Sequence, residues 1–281
     1  MVWIKGEEVN VMIENLVDVL YERAGGVARI TINRPEKLNA FREQTLDDLI
    51  VAFSAADEDE DVGVIVLTGA GDRAFCSGGD VSTEADFSPH SAWLYNRNLL
   101  QLASLMRNSA KPVIARINGW AVGGGNELNL LCDLAVAADT ARLGQAGARV
   151  GSVPVWYGTQ LLPRLIGERR AREVILLCKN YSAAEALEMG WINRVVPMVA
   201  LDEAVDEWCE NLLAKSPTAL MMAKLYLNSS SGDIYNSAVS GFRMLNVGLH
   251  GSPEQHEGMT AFLEKRPPDF GPFRKGGSWS S

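Results

Sequence analysis

The sequence predicts an α/β fold with a helical C-terminal region, and three features of the chain support this prediction. Two apolar, mostly β-branched runs, 62–68 and 112–117, have the composition of strands buried on both faces of a parallel sheet. A glycine-rich turn follows each run, and segments with helical apolar spacing lie between and after them. From Leu201 onward the pattern is nearly all helical. Alternating strands and helices followed by helices indicate an α/β core with a helical appendage.

The first predicted elements form a hairpin. Residues 15–23 and 26–33 both have the composition of strands, and two adjacent glycines provide the turn between them. Residues 44–57 then show the apolar spacing of a helix. The acidic run at 57–61 is most simply a solvated helix end and loop, and a metal site there is the less favoured alternative.

Helices and strands continue to alternate through the middle of the chain. Gly190 is suited to end the last helix of this part, and Ser216 with Pro217 is suited to begin a helix of the C-terminal region. The other predicted helices are 91–109, 159–178, 183–189 and 219–227, and the other predicted strands are 134–138 and 142–143.

The chain shows no fixed-period repeat and no flexible linker between folded units. We therefore expect a core formed by residues 1–200 and a helical C-terminal region formed by residues 201–281. Residues 275–281 are rich in Gly and Ser and are expected to form a loose tail.

Composition and charge exclude several classes of protein. With 47% hydrophobic and 22% charged residues, the 281-residue chain has the composition of an ordinary soluble globular protein. Its net charge of −9 and its pI near 5.0 disfavour non-specific binding to nucleic acid or to anionic membranes. A local cluster of Lys and Arg could still bind an anionic ligand.

We expect the protein to be cytoplasmic. No run approaches the roughly 18 apolar residues needed to span a bilayer. Lys5, Glu7 and Glu8 precede any apolar run, unlike the residues of a secretory signal. The four cysteines have no CxxC spacing and mostly lie in apolar runs, so they are expected to be reduced thiols.

The segment 118–128 is the strongest candidate for a functional site. It runs from the 112–117 strand through three consecutive glycines into a predicted helix. Glycines leave backbone N–H groups unobstructed, and a helix that starts there adds the positive end of its dipole. Glu127 follows Gly124 by about one helical turn, so its carboxylate can face the same site. An anion-stabilising donor beside an acid/base group is suited to chemistry next to a carbonyl.

A second glycine-rich turn, 75–80, follows the 62–68 strand in the same way. Two backbone N–H groups that converge from separate loops can form an oxyanion hole, which stabilises negative charge on a thioester oxygen. Each turn alone is weak evidence, whereas their order and spacing together are much stronger.

With these motifs, the chain resembles the crotonase superfamily, which contains the enoyl-CoA hydratases and isomerases. Within it, the chain is most similar to the 1,4-dihydroxy-2-naphthoyl-CoA synthases and the 2-ketocyclohexanecarboxyl-CoA hydrolases. The resemblance extends over roughly residues 15–270. The stretches that carry it are 32–40, 71–80, 111–115, 118–133, 144–145, 150–152, 170–173, 185–197, 216–219 and 257–270.

The resemblance implies a spiral of ββα units with a helical C-terminal trimerisation region, in a trimer or a dimer of trimers. It also implies an acyl-CoA thioester as the substrate, with coenzyme A present only as part of that substrate. The backbone N–H groups of Gly79 and Gly124 would be the oxyanion donors, and Glu127 would be the acid/base group. No tightly bound cofactor is implied, and no cluster of His, Cys and carboxylates has metal-ligand spacing.

The resemblance also assigns residues to substrate binding. The segment 36–40 and the loop 77–81 would line the coenzyme A site. The basic pair Lys265 and Arg266 would meet the phosphates, the alternative being a solvated helix end. The substrate-binding residues expected in this way are Lys37, Leu38, Ala40, Ser77, Gly78, Asp80, Val81, Gly147, Pro154, Trp156 and Lys265.

The chain differs from the families that it resembles at the catalytic positions. Hydratases of the superfamily hold water between two glutamates; Glu127 fills the first position, but Gly147 stands at the second. In some naphthoyl-CoA synthases a glycine there goes with a bound bicarbonate, so a bicarbonate near Gly147 is one alternative. Those synthases carry a catalytic Asp where Pro154 stands, and their catalytic Tyr aligns with His250. His250 is therefore a further catalytic candidate, although a surface or capping role is its simpler interpretation.

The sequence favours an enoyl-CoA hydratase/isomerase-like lyase that acts on a 2-enoyl-CoA. The first alternative is C–C bond chemistry, by ring hydrolysis or ring closure, on a cyclic or aromatic acyl-CoA. Trp156 and Tyr157 could form a flat wall for such a group, although core packing is their simpler interpretation. A second alternative is a non-catalytic binding protein with the crotonase fold, since fold does not fix function. The acidic charge argues against RNA as its ligand.

Overall fold

The computed structural model describes residues 13–85, 87–229 and 234–275. Within these ranges the protein has a mixed α/β fold with parallel sheets and a helical C-terminal region, which confirms the predicted fold class. None of the helices in these ranges is both long enough and apolar enough to cross a bilayer. The charged N-terminal residues and the predicted tail beyond residue 275 lie outside the described part of the chain.

Six strands form the larger sheet: β1 (Val19–Ala24), β2 (Val27–Ile32), β3 (Val64–Gly69), β5 (Val113–Ile117), β7 (Leu134–Ala138) and β10 (Arg194–Val196). They are hydrogen-bonded in the order β1, β2, β3, β5, β7, β10. The first two strands pair antiparallel, with Val19 opposite Ile32, which confirms the predicted hairpin. The remaining pairs are parallel. Every residue of β3 is buried, as expected for a strand of apolar, β-branched residues covered on both faces.

Four short strands form the smaller sheet: β4 (Ala74–Cys76), β6 (Trp120–Val122), β8 (Arg142–Gly144) and β9 (Asn180–Ser182), in that order. Each of β4, β6 and β8 follows a strand of the larger sheet along the chain. The pairs β3 and β4, β5 and β6, and β7 and β8 thus each contribute one strand to the larger sheet and then one to the smaller sheet. Because strands of three residues show no clear alternation, the sequence pattern did not identify β4, β6 or β9.

The helices surround the two sheets. They are α1 (Glu43–Glu58), α2 (Val81–Glu84), α3 (Pro89–Asn108), α4 (Gly124–Leu131), α5 (Gly158–Ile166), α6 (Glu168–Leu177), α7 (Ala183–Met189), α8 (Leu201–Leu213), α9 (Pro217–Ser229), α10 (Ile234–Gly248) and α11 (Pro253–Leu263). On one face of the larger sheet, Val66 and Ile114 pack against Val205 of α8. The main core lies on the other face, where Leu46 and Phe53 of α1 are among its fully buried residues.

Two predicted elements require correction. The single helix predicted at 159–178 is two helices, α5 and α6, because Gly167 lies between them with a φ of +79°. The first strand begins at Val19 rather than at residue 15. The N–H groups of Val17 and Asp18 donate instead to Oδ2 of Asp48, at 2.8 and 2.6 Å, so they take no part in the sheet.

Lys224 of α9 attaches the helical C-terminal region to the core. Its side chain is buried, and its Nζ donates to the carbonyl oxygens of Met106 at 2.8 Å and Lys111 at 2.9 Å. The same Nζ lies 2.8 Å from Oδ2 of Asp133. Since that oxygen also accepts the N–H of Val113 at 2.7 Å, the ion pair is tied to the start of β5.

We predict that Lys224→Met lowers the free energy of unfolding by about 2–3 kcal/mol. Methionine keeps the apolar stem but leaves two carbonyls and a carboxylate without their donor, and such unpaired groups are costly. Urea unfolding followed by circular dichroism measures the change. Lys215→Met is the control, because Lys215 is exposed and, among the described residues, its side chain hydrogen-bonds to Asn211 alone. Equal effects of the two substitutions would contradict this role of Lys224.

Candidate active site

A cavity of about 720 Å³ lies where the two glycine-rich turns meet. Its wall combines these turns with the loop before α1, the loop before α5 and residues of the C-terminal helices. The four catalytic candidates and the eleven residues in the list of expected substrate-binding residues all line this cavity. Their common position is therefore established, whereas their individual roles remain predictions. Tyr157 and Arg266 lie outside the cavity lining.

The two turns pack directly on each other through their glycines. A Cβ atom on Gly125 would lie 1.8 Å from the carbonyl oxygen of Cys76, which is backbone and has little freedom to move. A Cβ atom on Gly78 would lie 3.1 Å from the nitrogen of Gly124. Gly78 also has a φ of +100°, which side chains of L-residues rarely adopt. Glycine is thus required on both sides of the contact.

Gly79 and Gly124 each present a backbone N–H group at this contact. Gly124 is the first residue of α4, and the first N–H groups of a helix have no acceptor within it. The chain on both sides of Gly79 is held by Phe41, whose N–H donates to Gly78 at 2.9 Å and whose carbonyl accepts from Asp80 at 2.8 Å. Within the described ranges, neither glycine N–H donates a hydrogen bond. Both groups are thus available to bind an anion.

The Glu127 carboxyl lies in the same cavity and is 6% exposed. Its Oε1 accepts the N–H of Gly158 at 3.2 Å. Burial raises the pKa of Glu127 well above its usual range, and the nearby backbone N–H groups of Gly158 and Trp156 only partly oppose that effect. The nearby charge of Glu84 raises the pKa further. This carboxyl group therefore keeps its proton to a higher pH than an ordinary glutamate does.

Two further polar groups in the cavity wall have no partner among the described residues. Nε2 of Gln145 is buried and unpaired, and it lies with Oε1 of Glu127 beside the α-carbon of Gly158. Nε2 of His250 is likewise buried and unpaired, while its Nδ1 lies 3.3 Å from the side chain of Gln255. Burial lowers the pKa of His250, so its ring is neutral at neutral pH. Both side chains can hydrogen-bond a ligand.

Gly147 leaves no space for a side chain in the direction of its Cβ. A Cβ atom there would lie 2.8 Å from the carbonyl oxygen of Ser152 and 3.2 Å from Cδ of Pro154. The tight turn between these residues therefore accounts for the missing carboxylate at this position.

Asp80 and Trp156 shape the cavity wall, while their polar groups are hydrogen-bonded to other parts of the protein. The carboxylate of Asp80 is buried and accepts from Arg34 at 3.0 Å, so it fixes the loop instead of facing the cavity as a free charge. Trp156 is 2% exposed, donates from Nε1 to the carbonyl of Leu99 at 2.7 Å and packs its ring edge-on against Phe41. It is a core residue that also forms part of the cavity wall.

Tyr157 and Arg266 are placed by other contacts. The Tyr157 ring lies 5.7 Å from the guanidinium of Arg107, outside the cavity lining. Arg266 forms ion pairs at 2.7 Å with both Glu257 and Glu264, which supports its interpretation as part of a solvated helix end. Three other basic side chains, those of Lys37, Arg73 and Lys265, are exposed at the cavity.

Four of the cavity-wall residues to which the sequence gave no role are Phe41, Arg73, Glu84 and Tyr95. Phe41 carries no motif signal, Arg73 lies within the stretch 71–80 without a distinguishing pattern, and Glu84 lies in a segment where no element was predicted. Tyr95 lies within the predicted helix 91–109, but no pattern distinguished it from other apolar positions. The pairing of Glu84 with Tyr95, at 2.9 Å, is visible only in the structure.

Comparisons with known proteins identify the family to which the chain belongs. The sequence profile of the enoyl-CoA hydratase/isomerase family matches residues 22–272. An enoyl-CoA hydratase from Mycobacterium avium subsp. paratuberculosis K-10 is 28% identical, with a TM-score of 0.83 over 91% of this chain and 99% of that one. An enoyl-CoA hydratase from Geobacillus kaustophilus HTA426 is 36% identical, with a TM-score of 0.73 over 91% and 98%. A monofunctional enoyl-CoA isomerase from M. smegmatis is 32% identical, with a TM-score of 0.67 over 79% and 98%.

The fold and the cavity define an enzyme of acyl-CoA chemistry. The chain belongs to the enoyl-CoA hydratase/isomerase family, within the crotonase superfamily, as the matched profile and the similar structures show.

We predict that Gly125→Ala lowers the free energy of unfolding by about 2 kcal/mol or more and weakens acyl-CoA binding. The added methyl group meets the Cys76 carbonyl, so the two turns must move apart. Thermal unfolding and isothermal titration with a CoA ester measure the two effects. Gly271→Ala is the control, because its Cβ would meet only an oxygen of the exposed Asp269 side chain, at 3.0 Å. Unchanged stability and binding for Gly125→Ala would contradict the tight contact.

Proposed function

We propose that the protein hydrates or isomerises a 2-enoyl-CoA, with the thioester oxygen bound by the N–H groups of Gly79 and Gly124 and with Glu127 as the acid/base group. One observation carries this proposal above the others. The backbone N–H groups of Gly79 and Gly124 line the same cavity as the buried carboxyl group of Glu127, which lies about one helical turn after Gly124 and has a raised pKa.

The chemistry follows from this arrangement. Two hydrogen bonds to the thioester oxygen stabilise the enolate that forms when a nucleophile adds at the β-carbon or when an α-proton leaves. Glu127 then gives a proton to, or takes one from, the α-carbon. Because its pKa is raised, the same carboxyl group can serve as acid or base near neutral pH, and general acid/base groups are most effective when their pKa is close to the working pH.

The basic side chains at the edge of the cavity support a coenzyme A ester as the substrate. Lys37, Arg73 and Lys265 surround it with positive charge, although the protein carries a net charge of −9. Lys and Arg side chains bind phosphate groups well. We therefore assign the phosphates of coenzyme A to these three residues, and the segments 36–40 and 77–81 to the rest of the cofactor moiety.

A second candidate reaction is C–C bond chemistry on a cyclic acyl-CoA. The unpaired side chains of Gln145 and His250 favour it, because both could bind an additional oxygen on the acyl group. Turnover of a cyclic β-keto-acyl-CoA without turnover of crotonyl-CoA would select this reaction. Failure to bind any CoA ester would instead indicate a protein without catalytic function.

We predict that Glu127→Gln lowers kcat on a 2-enoyl-CoA by about 100-fold or more while the affinity for the CoA ester changes little. The amide keeps the size of the side chain but cannot transfer the proton, and such groups contribute about 10²- to 10⁴-fold. Hydration is followed by the loss of enoyl absorbance, and binding by titration. Glu188→Gln, at an exposed position of α7, is the control. Full turnover by Glu127→Gln would remove Glu127 from the mechanism.

The second part of the proposal concerns assembly into a trimer or a dimer of trimers. Helices α9 and α10 expose several large apolar side chains, which are costly to leave in water. We propose that these helices form the contact between subunits. These side chains include Tyr226 at 68%, Tyr235 at 53% and Met244 at 70%.

We predict that Met244→Glu shifts the protein from trimer towards monomer, because the interface would have to bury an unpaired charge. Sedimentation velocity measures the distribution of species. Val199→Glu is the matched control, since Val199 is 96% exposed and lies outside α9 and α10. A wild-type protein that sediments as a monomer would contradict the proposed assembly.

A further inference from the structure

We propose that Glu84 is a second catalytic carboxylate of this site, positioned by Tyr95, and that it activates water while Glu127 protonates the α-carbon. This inference rests on the proposed function. Glu84 would serve as the second acid/base group of the hydration reaction, in place of the carboxylate that is missing at Gly147.

The position of Glu84 follows from the shape of its loop. Helix α2 begins directly after the turn that contains Gly79, and its last residue, Glu84, folds back onto that turn. A Cβ atom on Gly79 would lie 1.8 Å from Oε1 of Glu84, so the carboxyl group rests against the α-carbon of the proposed oxyanion donor. Glu84 also lines the same cavity as Glu127. A thioester bound at Gly79 would therefore carry its reacting carbons close to both carboxyl groups.

Tyr95 fixes the carboxyl group of Glu84. Its hydroxyl donates to Oε1 at 2.9 Å. The tyrosine is 4% exposed, and its ring is held between Phe41, at 6.3 Å, and Phe87, at 5.0 Å between centroids. In the described part of the chain, Tyr95 is the one side chain that donates a hydrogen bond to Glu84. The second oxygen, Oε2, remains available to a water molecule or a substrate.

The charges around the two glutamates favour a division of roles. No cation among the described residues forms an ion pair with Glu84 or Glu127, and Arg34 is engaged with Asp80. Two carboxyl groups that share a poorly hydrated cavity cannot both ionise easily, so one of them keeps a proton. The hydrogen bonds from Tyr95 to Glu84 and from Gly158 to Glu127 both stabilise a charged carboxylate. Burial nevertheless raises the pKa of both groups, and it raises that of Glu127 well above its usual range. We therefore assign the role of base to Glu84 and the role of acid to Glu127.

The resulting reaction is balanced in atoms and charge. The ionised carboxylate of Glu84 takes a proton from water as the water oxygen bonds to the β-carbon. The electron pair of the double bond moves towards the thioester, and the enolate oxygen is held by Gly79 and Gly124. Glu127 then gives its proton to the α-carbon. One water has been added, and exchange of protons with solvent restores both carboxyl groups.

The alternative explanation is that Tyr95 and Glu84 are only a structural link between α3 and α2. The chain contains a natural control for that possibility. Tyr181 donates to Oε1 of Glu173 at 3.0 Å, in a pair that lies outside the cavity lining. Substitutions in this second pair show what the loss of a tyrosine–glutamate link does to the protein without touching the site.

The test compares two reactions of the full-length protein. Hydration of crotonyl-CoA needs both carboxyl groups, whereas exchange of the α-protons of butyryl-CoA with D₂O needs only Glu127 and the oxyanion hole. We expect Glu84→Gln to lower the hydration rate about 100-fold. Its exchange rate, measured by mass spectrometry, should be unchanged or higher, because removal of the nearby negative charge lowers the pKa of Glu127. Glu127→Gln should lose both reactions.

Tyr95→Phe tests the positioning role. We expect a fall of about tenfold in kcat for hydration with little change in KM and with normal α-proton exchange, since the carboxylate remains but is no longer held in its charged form. Glu173→Gln and Tyr181→Phe should leave both reactions within about twofold of the wild type.

Four results would overturn the inference. The first is a hydration loss below about tenfold in Glu84→Gln. The second is an equal loss of exchange in that variant, which would show that the substitution damages the oxyanion hole. The third is a requirement for added bicarbonate, which would make that anion the second carboxylate. The fourth is a wild type without activity on any enoyl-CoA, which would remove the proposed function as well; in the first three cases that function stands.

Discussion

The contact between the two glycine turns is the constraint on which the candidate site depends. The α-carbon of Gly125 lies against the carbonyl of Cys76, with no space for a methyl group between them. The two turns meet because β4 and β6, which they follow, are adjacent parallel strands of the smaller sheet. This pairing brings the turn that contains Gly79 next to Gly124, at the start of α4. Neither turn alone presents both donors, so the pairing of β4 with β6 creates the proposed oxyanion site.

The carboxyl groups of the cavity fall into two kinds, one paired with a cation and the other hydrogen-bonded only by neutral donors. The buried carboxylate of Asp80 is paired with Arg34. The ion pair fixes the conformation of the loop and offsets the desolvation of the buried carboxylate. Glu127 and Glu84 are held by backbone N–H groups and a phenol instead. These neutral donors orient a carboxyl group while leaving its pKa raised. Such a difference between neighbouring carboxyl groups is typical of sites that transfer protons.

The helical C-terminal region completes the cavity. Residues on α11 and on the turn before it line the cavity opposite the glycine turns, including Phe262, Leu263 and His250. Lys224 links this region to the core through the start of β5 and the end of α3. The same helical region thus contributes both to stability and to the shape of the cavity. A change in how the C-terminal helices dock would alter the cavity without altering the two glycine turns.

The sequence by itself determined the fold class and the centre of the site. Buried strands such as β3 carry their signal in composition, and the glycine turns with Glu127 form a local motif whose geometry follows from the chain itself. The sequence pattern did not identify the break at Gly167, nor the three-residue strands β4, β6, β9 and β10. A single left-handed residue can end a helix without changing its apolar pattern, and such short strands have no periodicity.

Only the tertiary structure decided what surrounds Glu127. Glu84 and Tyr95 stand 11 positions apart and meet Gly79 through the fold of α2 onto α3. His250 reaches the cavity from more than 100 positions beyond Glu127 along the chain, as part of the docked C-terminal region. Whether a polar side chain is buried, and whether it finds a partner, depends on packing between distant segments. That is why the sequence located the proposed oxyanion donors but not the proposed second carboxylate.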